Sequence, residues 1–339
     1  MIKRTDRKPR VVIYGAGQFG QYIARFAHRK GWPIVAVYNR AGAKVGQDIG
    51  RLAGLDRDLG VVVEDCDKAS YDGLDADVGV VTLDNYLDVN LPAYRRLMNA
   101  GLNVLCHGTE AYYPYGADPM RAAEIDALAK KNNVTFSGSG IWDMSRIWAG
   151  ILAAGPCTEL RSLYHSSITD CARTGKALML FAGVGLTASE FNGAGPIKKV
   201  MSTYKTIPEH VLAALGYSIV ENRVRLEPVT LDAPLFCALL ERDIPAGDCV
   251  GTRVVVEVDT KEGVTGKAVI EVRIFKPGEV EHMYWVVDGK PVSRIRTERD
   301  DSAHATAACL FNRIPDVIAA PPGIVLLSQM GPLKPTALL

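Results

Sequence analysis

The short apolar run Val11-Val12-Ile13-Tyr14 passes directly into Gly15-Ala16-Gly17-Gln18-Phe19-Gly20, and a helical pattern follows through about Lys30. Strand, Gly-x-Gly-x-x-Gly and helix in that order open a βαβ unit that holds a dinucleotide. Gly15 permits the tight turn, Gly17 lets backbone approach a pyrophosphate, and Gly20 lets helix and strand pack closely. The helix N-terminus then offers N–H groups and a positive dipole end to the phosphates. Gln18 and Phe19 lie inside the turn and join the three glycines as expected cofactor contacts. A lone glycine motif is weak evidence. Its place between strand and helix, with a second apolar strand at Ile34-Val35-Ala36-Val37-Tyr38, gives it weight. The competing reading is a glycine-rich turn that has no ligand.

The end of the second strand normally reads the adenosine ribose, and an acid there favours NAD. Here the strand ends Tyr38-Asn39-Arg40, with Lys44 nearby and no acid. Asn39 can bond the 2′-oxygen, and Arg40 can pair with a 2′-phosphate. The expected cofactor is NADP; NAD is also accepted if Arg40 is only a solvated charge. Thr82 and Leu83 follow the fourth strand at its carboxyl end, where open α/β sheets bind ligands. Cys106-His107-Gly108-Thr109-Glu110 follows the fifth strand at the same edge, which adds His107 and Thr109 to the cofactor contacts. A carboxylate at Glu110 can hold an ammonium ion, take its proton and stabilise an iminium. The alternative is that Glu110 caps the next element, since glutamate is usually solvated. Tyr112 and Tyr113 are pocket wall or loop packing, and His107 is a second candidate acid or base. Ser137-Gly138-Ser139-Gly140-Ile141-Trp142 follows the sixth strand, and its glycines suggest close backbone approach to cofactor or substrate. Ile141 and Trp142 are expected in the substrate pocket; Trp142 could equally anchor a domain junction.

The 339 residues suffice for two domains. Strands and helices alternate in the first part: a strand at Val78–Thr82, a helix from about Asn90 to Ala100 closed by Gly101, a strand at Leu102–His107, a helix at Pro119–Asn132 with Asp118 as N-cap, and a strand at Val134–Ser137. Such alternation builds a doubly wound parallel sheet. Beyond about Trp142 the strands lengthen and alternate in polarity, as at Thr252–Asp259, Gly266–Phe275 and His282–Val287. That pattern marks an open, largely antiparallel sheet. A helix spans Pro208–Leu215. A last helical pattern covers Ser302–Ile314, ended by Pro315, Pro321 and Pro322, before a short strand at Gly323–Leu327. The fold class is therefore α/β: a Rossmann domain over residues 1–141, a second domain over 142–301, to which the resemblance given below assigns substrate binding and dimerisation, and a C-terminal helix and tail, 302–339, returning to the first. With 39 basic and 38 acidic residues the net charge is +1, which gives no reason to expect nucleic acid or an anionic membrane as partner. No apolar stretch approaches the roughly 20 residues of a membrane span. The basic start, Lys3 to Arg10, lacks the apolar core of a signal peptide and is expected to be a solvated tail. Seven scattered cysteines without a Cys-x-x-Cys pair fit reduced thiols in the cytoplasm, and neither they nor the histidines form a ligand set, so no metal is expected.

Taken together, Gly15 to Gly20, Thr109-Glu110 and Gly138-x-Gly140 resemble the 2,4-diaminopentanoate dehydrogenase family, which includes the native amine dehydrogenases. Ala307 to Val317 with Ala320-Pro321-Pro322-Gly323 is similar to that family's C-terminal signature. The resemblance implies a Rossmann domain, a C-terminal α/β domain and a homodimer. It implies interconversion of amines with small ketones or aldehydes plus ammonia, with Glu110 as the catalytic glutamate. Trp142-Asp143-Met144 departs from the Asn-Pro-type turn of the diaminopentanoate enzymes. It looks more like the amine dehydrogenase branch, with a bulky side chain shortening the pocket. The dihydrodipicolinate reductases share the N-terminal pattern, but their His-His-x-x-Lys and Ser-Gly-Thr segments are missing here. The expected reaction is reductive amination by NADPH, or its reverse, oxidative deamination. Two rivals stand beside it: a diaminopentanoate or other amino-acid dehydrogenase, with Arg146, Arg161 or Arg173 holding the carboxylate, and an NADP-binding sensor without turnover.

Overall fold

In the computed structural model the described residues are 7–174, 176–193 and 204–335. The chain divides into two compact units, one made of the chain up to Met144 together with the segment from Ser302 onward, the other of Ser145–Asp301.

The first unit is built on a seven-stranded parallel sheet. Its strands are β1 (Val11–Tyr14), β2 (Ile34–Asn39), β3 (Val63–Asp65), β4 (Val78–Val81), β5 (Asn103–Cys106), β6 (Thr135–Gly138) and β15 (Gly323–Ile324), in the order β15-β6-β5-β4-β1-β2-β3. All four residues of β1 are buried, as a strand covered on both faces requires. Their period of two splits them: Val12 and Tyr14 join a core with Tyr94, Leu97 and Phe136, while Val11 and Ile13 join a second core with Ile23, Trp32 and Phe311. The helices between are α1 (Gln18–Lys30), α2 (Leu87–Asn99) and α3 (Pro119–Lys131). Asp118 caps α3 by accepting from the Arg121 N–H at 3.1 Å. Gly31, at φ +65°, closes α1 in the left-handed region.

Two helix boundaries differ from the sequence expectation. Helix α2 begins at Leu87 rather than Asn90, and Pro92 lies inside it. The C-terminal helix runs from Ser302 to Ile318 and carries Pro315 within it, so Pro315 does not end it. An interior proline costs about 3 kcal/mol. Burial of Leu310, Ile314 and Val317 offsets that cost.

The second unit carries β7 (Glu159–Asp170), β8 (Ile219–Thr230), β9 (Leu235–Cys237), β10 (Arg242–Ile244), β11 (Cys249–Thr260), β12 (Thr265–Arg273), β13 (His282–Lys290) and β14 (Ser293–Glu298). Six of them form one sheet, β14-β13-β7-β12-β11-β8. Every neighbouring pair is antiparallel except β7 and β12, which run parallel. One face carries Leu163, His165, Val254, Val256, Ala268, Ile270 and Trp285, all buried, against helices at Ala149–Ala154 and α4 (Thr206–Ala214). The opposite face is laced with ion pairs: Arg225 to Glu227 and Glu257, Arg253 to Glu227 and Glu271, and Arg273 to Glu271 and Glu279. All seven cysteines are free thiols. Among the described residues no helix is long and apolar enough to cross a membrane.

Candidate active site

The glycine turn has the shape a dinucleotide needs. Gly15 sits at φ +112°, and a Cβ there would lie 2.8 Å from the Thr82 hydroxyl. A Cβ on Gly20 would lie 1.9 Å from the Gly15 carbonyl oxygen, so α1 crosses β1 too closely for any side chain. At Gly17 a Cβ would meet nothing within 4 Å. Gly17 is also the N-cap of α1, with no side-chain cap and no acid in the first turn. The helix end is therefore open to an anion, and the space beside it is large enough to take one.

Thr82 and Asn39 serve this turn directly. The Thr82 hydroxyl donates to the Gly15 carbonyl at 2.8 Å. The Asn39 side-chain oxygen accepts from the Ala16 N–H at 3.1 Å, and its amide nitrogen donates to the Arg40 carbonyl at 2.8 Å. Asn39 thus holds the cradle in shape, a role its position at the end of β2 did not reveal. Leu83 packs beside Gly15. Gln18 and Arg40 are exposed, and Lys44 is partly so.

Cys106 organises the turn after β5. Its buried sulfur accepts from the Tyr94 hydroxyl at 3.0 Å, the Gly108 N–H at 3.2 Å and the Asn90 amide at 3.6 Å. Burial pushes the thiol up to about 11, so it stays protonated and acts as a structural hub. A Cβ on Gly108 would lie 2.5 Å from the Asp84 carbonyl oxygen, so the turn lies directly against the loop that leads into α2. His107 packs its ring 4.9 Å from that of Phe19. Burial pushes the imidazole down to about 4, which leaves it neutral and removes it as a general acid at neutral pH. The Thr109 hydroxyl is buried without a hydrogen-bond partner.

Glu110 follows in a single 3-10 turn, Thr109–Tyr112, and is only 8% exposed. Its Oε2 accepts from the Leu87 N–H at 2.9 Å, and its own N–H donates to the Asn85 carbonyl at 3.1 Å. The carboxylate thus caps α2 at its first residue, so Glu110 does act as a cap, but on the helix that precedes it in the chain and not on the next element as weighed from sequence. It also fixes the carboxylate at the carboxyl edge of the sheet.

The glycines after β6 act differently from the expectation. A Cβ on Gly138 would lie 2.3 Å from the Ala111 carbonyl, and one on Gly140 would lie 2.1 Å from the Tyr112 hydroxyl. They allow close approach to the Glu110 turn itself. Tyr112 donates to the His107 carbonyl at 2.8 Å, and its ring meets Trp142 edge-on at 5.5 Å. Trp142 is 5% exposed, with Ile141 partly buried beside it.

Sequence reasoning missed one constellation. Arg313 and Asp143, both fully buried, form a two-pronged pair: Nε to Oδ2 at 2.9 Å and Nη2 to Oδ1 at 2.6 Å. Ser139 donates to Asp143 at 2.9 Å, and Arg313 also donates to Asp316 at 3.1 Å and to the Gly331 carbonyl at 3.0 Å. The run Asn312-Arg313-Ile314-Pro315-Asp316 was the available signal. In the second unit, Arg161 pairs with Asp288 at the surface and Arg173 donates to the Asp300 carbonyl. Arg146 is 1% exposed, with its guanidinium 5.3 Å from the Tyr204 ring centre.

No family model matches the sequence. The chain is 26% identical to the 2,4-diaminopentanoate dehydrogenase of Acetoanaerobium sticklandii, over 94% of this chain and 92% of that protein. The solved structure of an amine dehydrogenase from Mycobacterium smegmatis superposes with a TM-score of 0.88 at 27% identity, over 99% of this chain and all of the other. More distant structures show the fold alone: myo-inositol 2-dehydrogenase from Lactobacillus plantarum (TM-score 0.59, 16% identity, 97% of this chain and 95% of that one) and a biliverdin reductase from Synechocystis with bound NADP+ (0.56, 11%, 95% and 94%). The reading as a sensor without turnover gives way to these likenesses. Likeness across nearly the whole chain, in sequence and in fold, to a 2,4-diaminopentanoate dehydrogenase and an amine dehydrogenase makes this protein an oxidoreductase that acts on an amine group.

Proposed function

We propose that this enzyme interconverts amines with small ketones or aldehydes and ammonia, using NADPH for reductive amination and NADP for the reverse. The buried Glu110 carboxylate carries this reading, because it follows β5 at the sheet edge where β1 enters the glycine turn, and His107 of its own turn packs on Phe19 of that motif. Gly15, Gly17 and Gly20 with the N-terminus of α1 would hold the pyrophosphate, and Arg40 with Lys44 would hold a 2′-phosphate. When bound, the nicotinamide supplies the hydride.

Glu110 manages the protons. Ammonia is delivered as ammonium, which gives one proton to the carbonyl oxygen as its nitrogen adds to the carbon, and the carboxylate takes a second proton from the attached nitrogen. The same proton then goes to the hydroxyl, which leaves as water. The iminium so formed sits against the restored carboxylate, which stabilises its charge. The Leu87 N–H keeps the carboxylate in one orientation through this cycle, and Trp142 and Tyr112 bound the space open to the carbonyl substituents.

A second reading, a dehydrogenase for amino acids, is favoured by one observation: Arg146 is a buried cation in the second unit. A homodimer is proposed from the second sheet, whose outward-facing Tyr164, Ile168, Val269, Tyr284 and Val286 are partly exposed beside the ion-pair ladders. The free thiols suit a reducing compartment such as the cytoplasm. Initial rates with NADPH or NADH, ammonia, and a panel of small ketones, aldehydes and keto acids test the reading. Turnover of unsubstituted ketones or aldehydes supports it. Turnover confined to carboxylate-bearing substrates replaces it with the second reading.

A further inference from the structure

Among the side chains that the C-terminal signature buries in the first unit is Arg313, and its contacts lead to the candidate site. Arg313 holds Asp143 with two hydrogen bonds at 2.9 and 2.6 Å, and neither side chain is exposed. Asp143 follows Trp142 directly. The turn that carries Trp142 is closed on itself: the Asp143 N–H donates to the Gly140 carbonyl at 3.0 Å, and Ser139 donates to the Asp143 carboxylate at 2.9 Å. The start of the turn is fixed to the neighbouring strand by the Ser139 N–H on the Cys106 carbonyl at 3.0 Å. Trp142 then meets Tyr112 edge-on, and Tyr112 bonds the carbonyl that follows Cys106.

A buried ion pair costs desolvation, and apolar packing commonly serves stability as well or better. A two-pronged guanidinium–carboxylate pair fixes distance and angle as apolar packing does not. We propose that the Arg313–Asp143 pair is a positioning device: the C-terminal helix sets the orientation of the Trp142 indole and, through it, the length of substrate the site accepts. The second half of this statement rests on the reading of Trp142 as pocket wall. Arg313, Asp143 and Ser139 are positioning residues, since none is argued to touch substrate.

The test labels the whole enzyme with 5-fluorotryptophan. The chain has four tryptophans, so four fluorine signals arise, and Trp142→Phe identifies the one from Trp142. In Arg313→Lys, which keeps the charge and loses the fork, the Trp142 signal should shift or broaden while the Trp285 signal in the second unit holds. Ser139→Ala leaves the ion pair in place and removes one bond to Asp143. It should give a smaller displacement of the same signal, and it stands in should Arg313→Lys fail to fold. The kcat/KM ratio of a longer to a shorter carbonyl substrate should change at least threefold in Arg313→Lys, in the same direction as in Trp142→Ala, with no further change when the two are combined. A Trp142 signal unmoved in folded Arg313→Lys, or in Ser139→Ala where the first is unfolded, overturns the proposal. A displaced signal with selectivity unchanged in both the Arg313 and Trp142 variants upholds the positioning of the indole and overturns the placement of Trp142 in the pocket.

Discussion

Replacing Glu110 by glutamine separates its two roles, because the amide keeps one and loses the other. The side-chain oxygen of glutamine can still accept from the Leu87 N–H, now bonded at 2.9 Å. What is lost there is charge. A hydrogen bond to a charged group contributes about 1.5–3 kcal/mol and a neutral one about 0.5–1.5, so the difference is about 1 kcal/mol, or about 2–4 °C in Tm for a unit of this size. Glu110→Ala is harsher, since it leaves the Leu87 N–H without its acceptor at a cost of about 1–3 kcal/mol. The catalytic loss should be larger than either. Positioned proton transfer contributes about 10²–10⁴-fold, or ~3–5 kcal/mol of barrier, and an amide neither takes that proton nor balances an iminium. The assay is single-turnover reductive amination at saturating NADPH and ammonia, with NADPH affinity from fluorescence titration and Tm from calorimetry. The expected variant melts within a few degrees of the parent, binds NADPH nearly as well, and turns over at most a hundredth as fast. Retention of more than a tenth of the parent rate, under ~1.4 kcal/mol, would refute the proton-transfer argument and leave Glu110 as a helix cap.

Arg40→Ala should lower kcat/KM for NADPH about tenfold or more, ~1.4 kcal/mol, and leave NADH almost unchanged; equal losses with both cofactors would show that Arg40 does not read the phosphate. Trp142→Ala should shift preference toward longer ketones and aldehydes, and its Tm must be followed because truncating a buried tryptophan costs about 3–5 kcal/mol. Stability should also fall in mild acid. Burial lowers His107 to about 4 and His210 to about 3, and lowers His165 with Arg146 adding to the effect. The unfolded chain, titrating near 6.5, then binds more protons than the folded one, so the stability these groups contribute is present above about pH 6.5 and is lost as pH falls toward 4. Urea midpoints measured between pH 7 and 4.5 check this, and a flat profile would refute it.

Local chemistry made part of this molecule legible in advance. β1, the glycine turn, α1 and the Asp118–Pro119 helix start each depend on residues adjacent in sequence, so a short window contains the physics that forms them. Strands β7 and β8 were not foreseen. Their alternation is imperfect, as Glu159-Leu160-Arg161-Ser162-Leu163-Tyr164 shows, and β7 becomes central only by pairing with β12, a hundred residues on. The end of the last helix was misplaced for a related reason. Pro315 is a strong local stop signal, and only the tertiary burial of Leu310, Ile314 and Val317 offsets it.

The site shows the same division. Glu110 stands out in sequence because a carboxylate after a sheet strand is chemically suggestive, yet its partner Leu87 is an unremarkable apolar residue that contributes only a backbone N–H. Backbone donors leave no trace in side-chain identity, so the cap on α2 could not be read from composition or spacing. Asn39 was read as facing the ribose because the end of β2 usually does, whereas its side chain closes onto Ala16 and shapes the phosphate cradle. That leaves the exposed Arg40, with the partly exposed Lys44, to distinguish the two cofactors. Asn39→Ala should therefore weaken NADPH and NADH together, through the shared pyrophosphate cradle, while Arg40→Ala separates them. A selective loss of NADPH in Asn39→Ala would return Asn39 to the ribose.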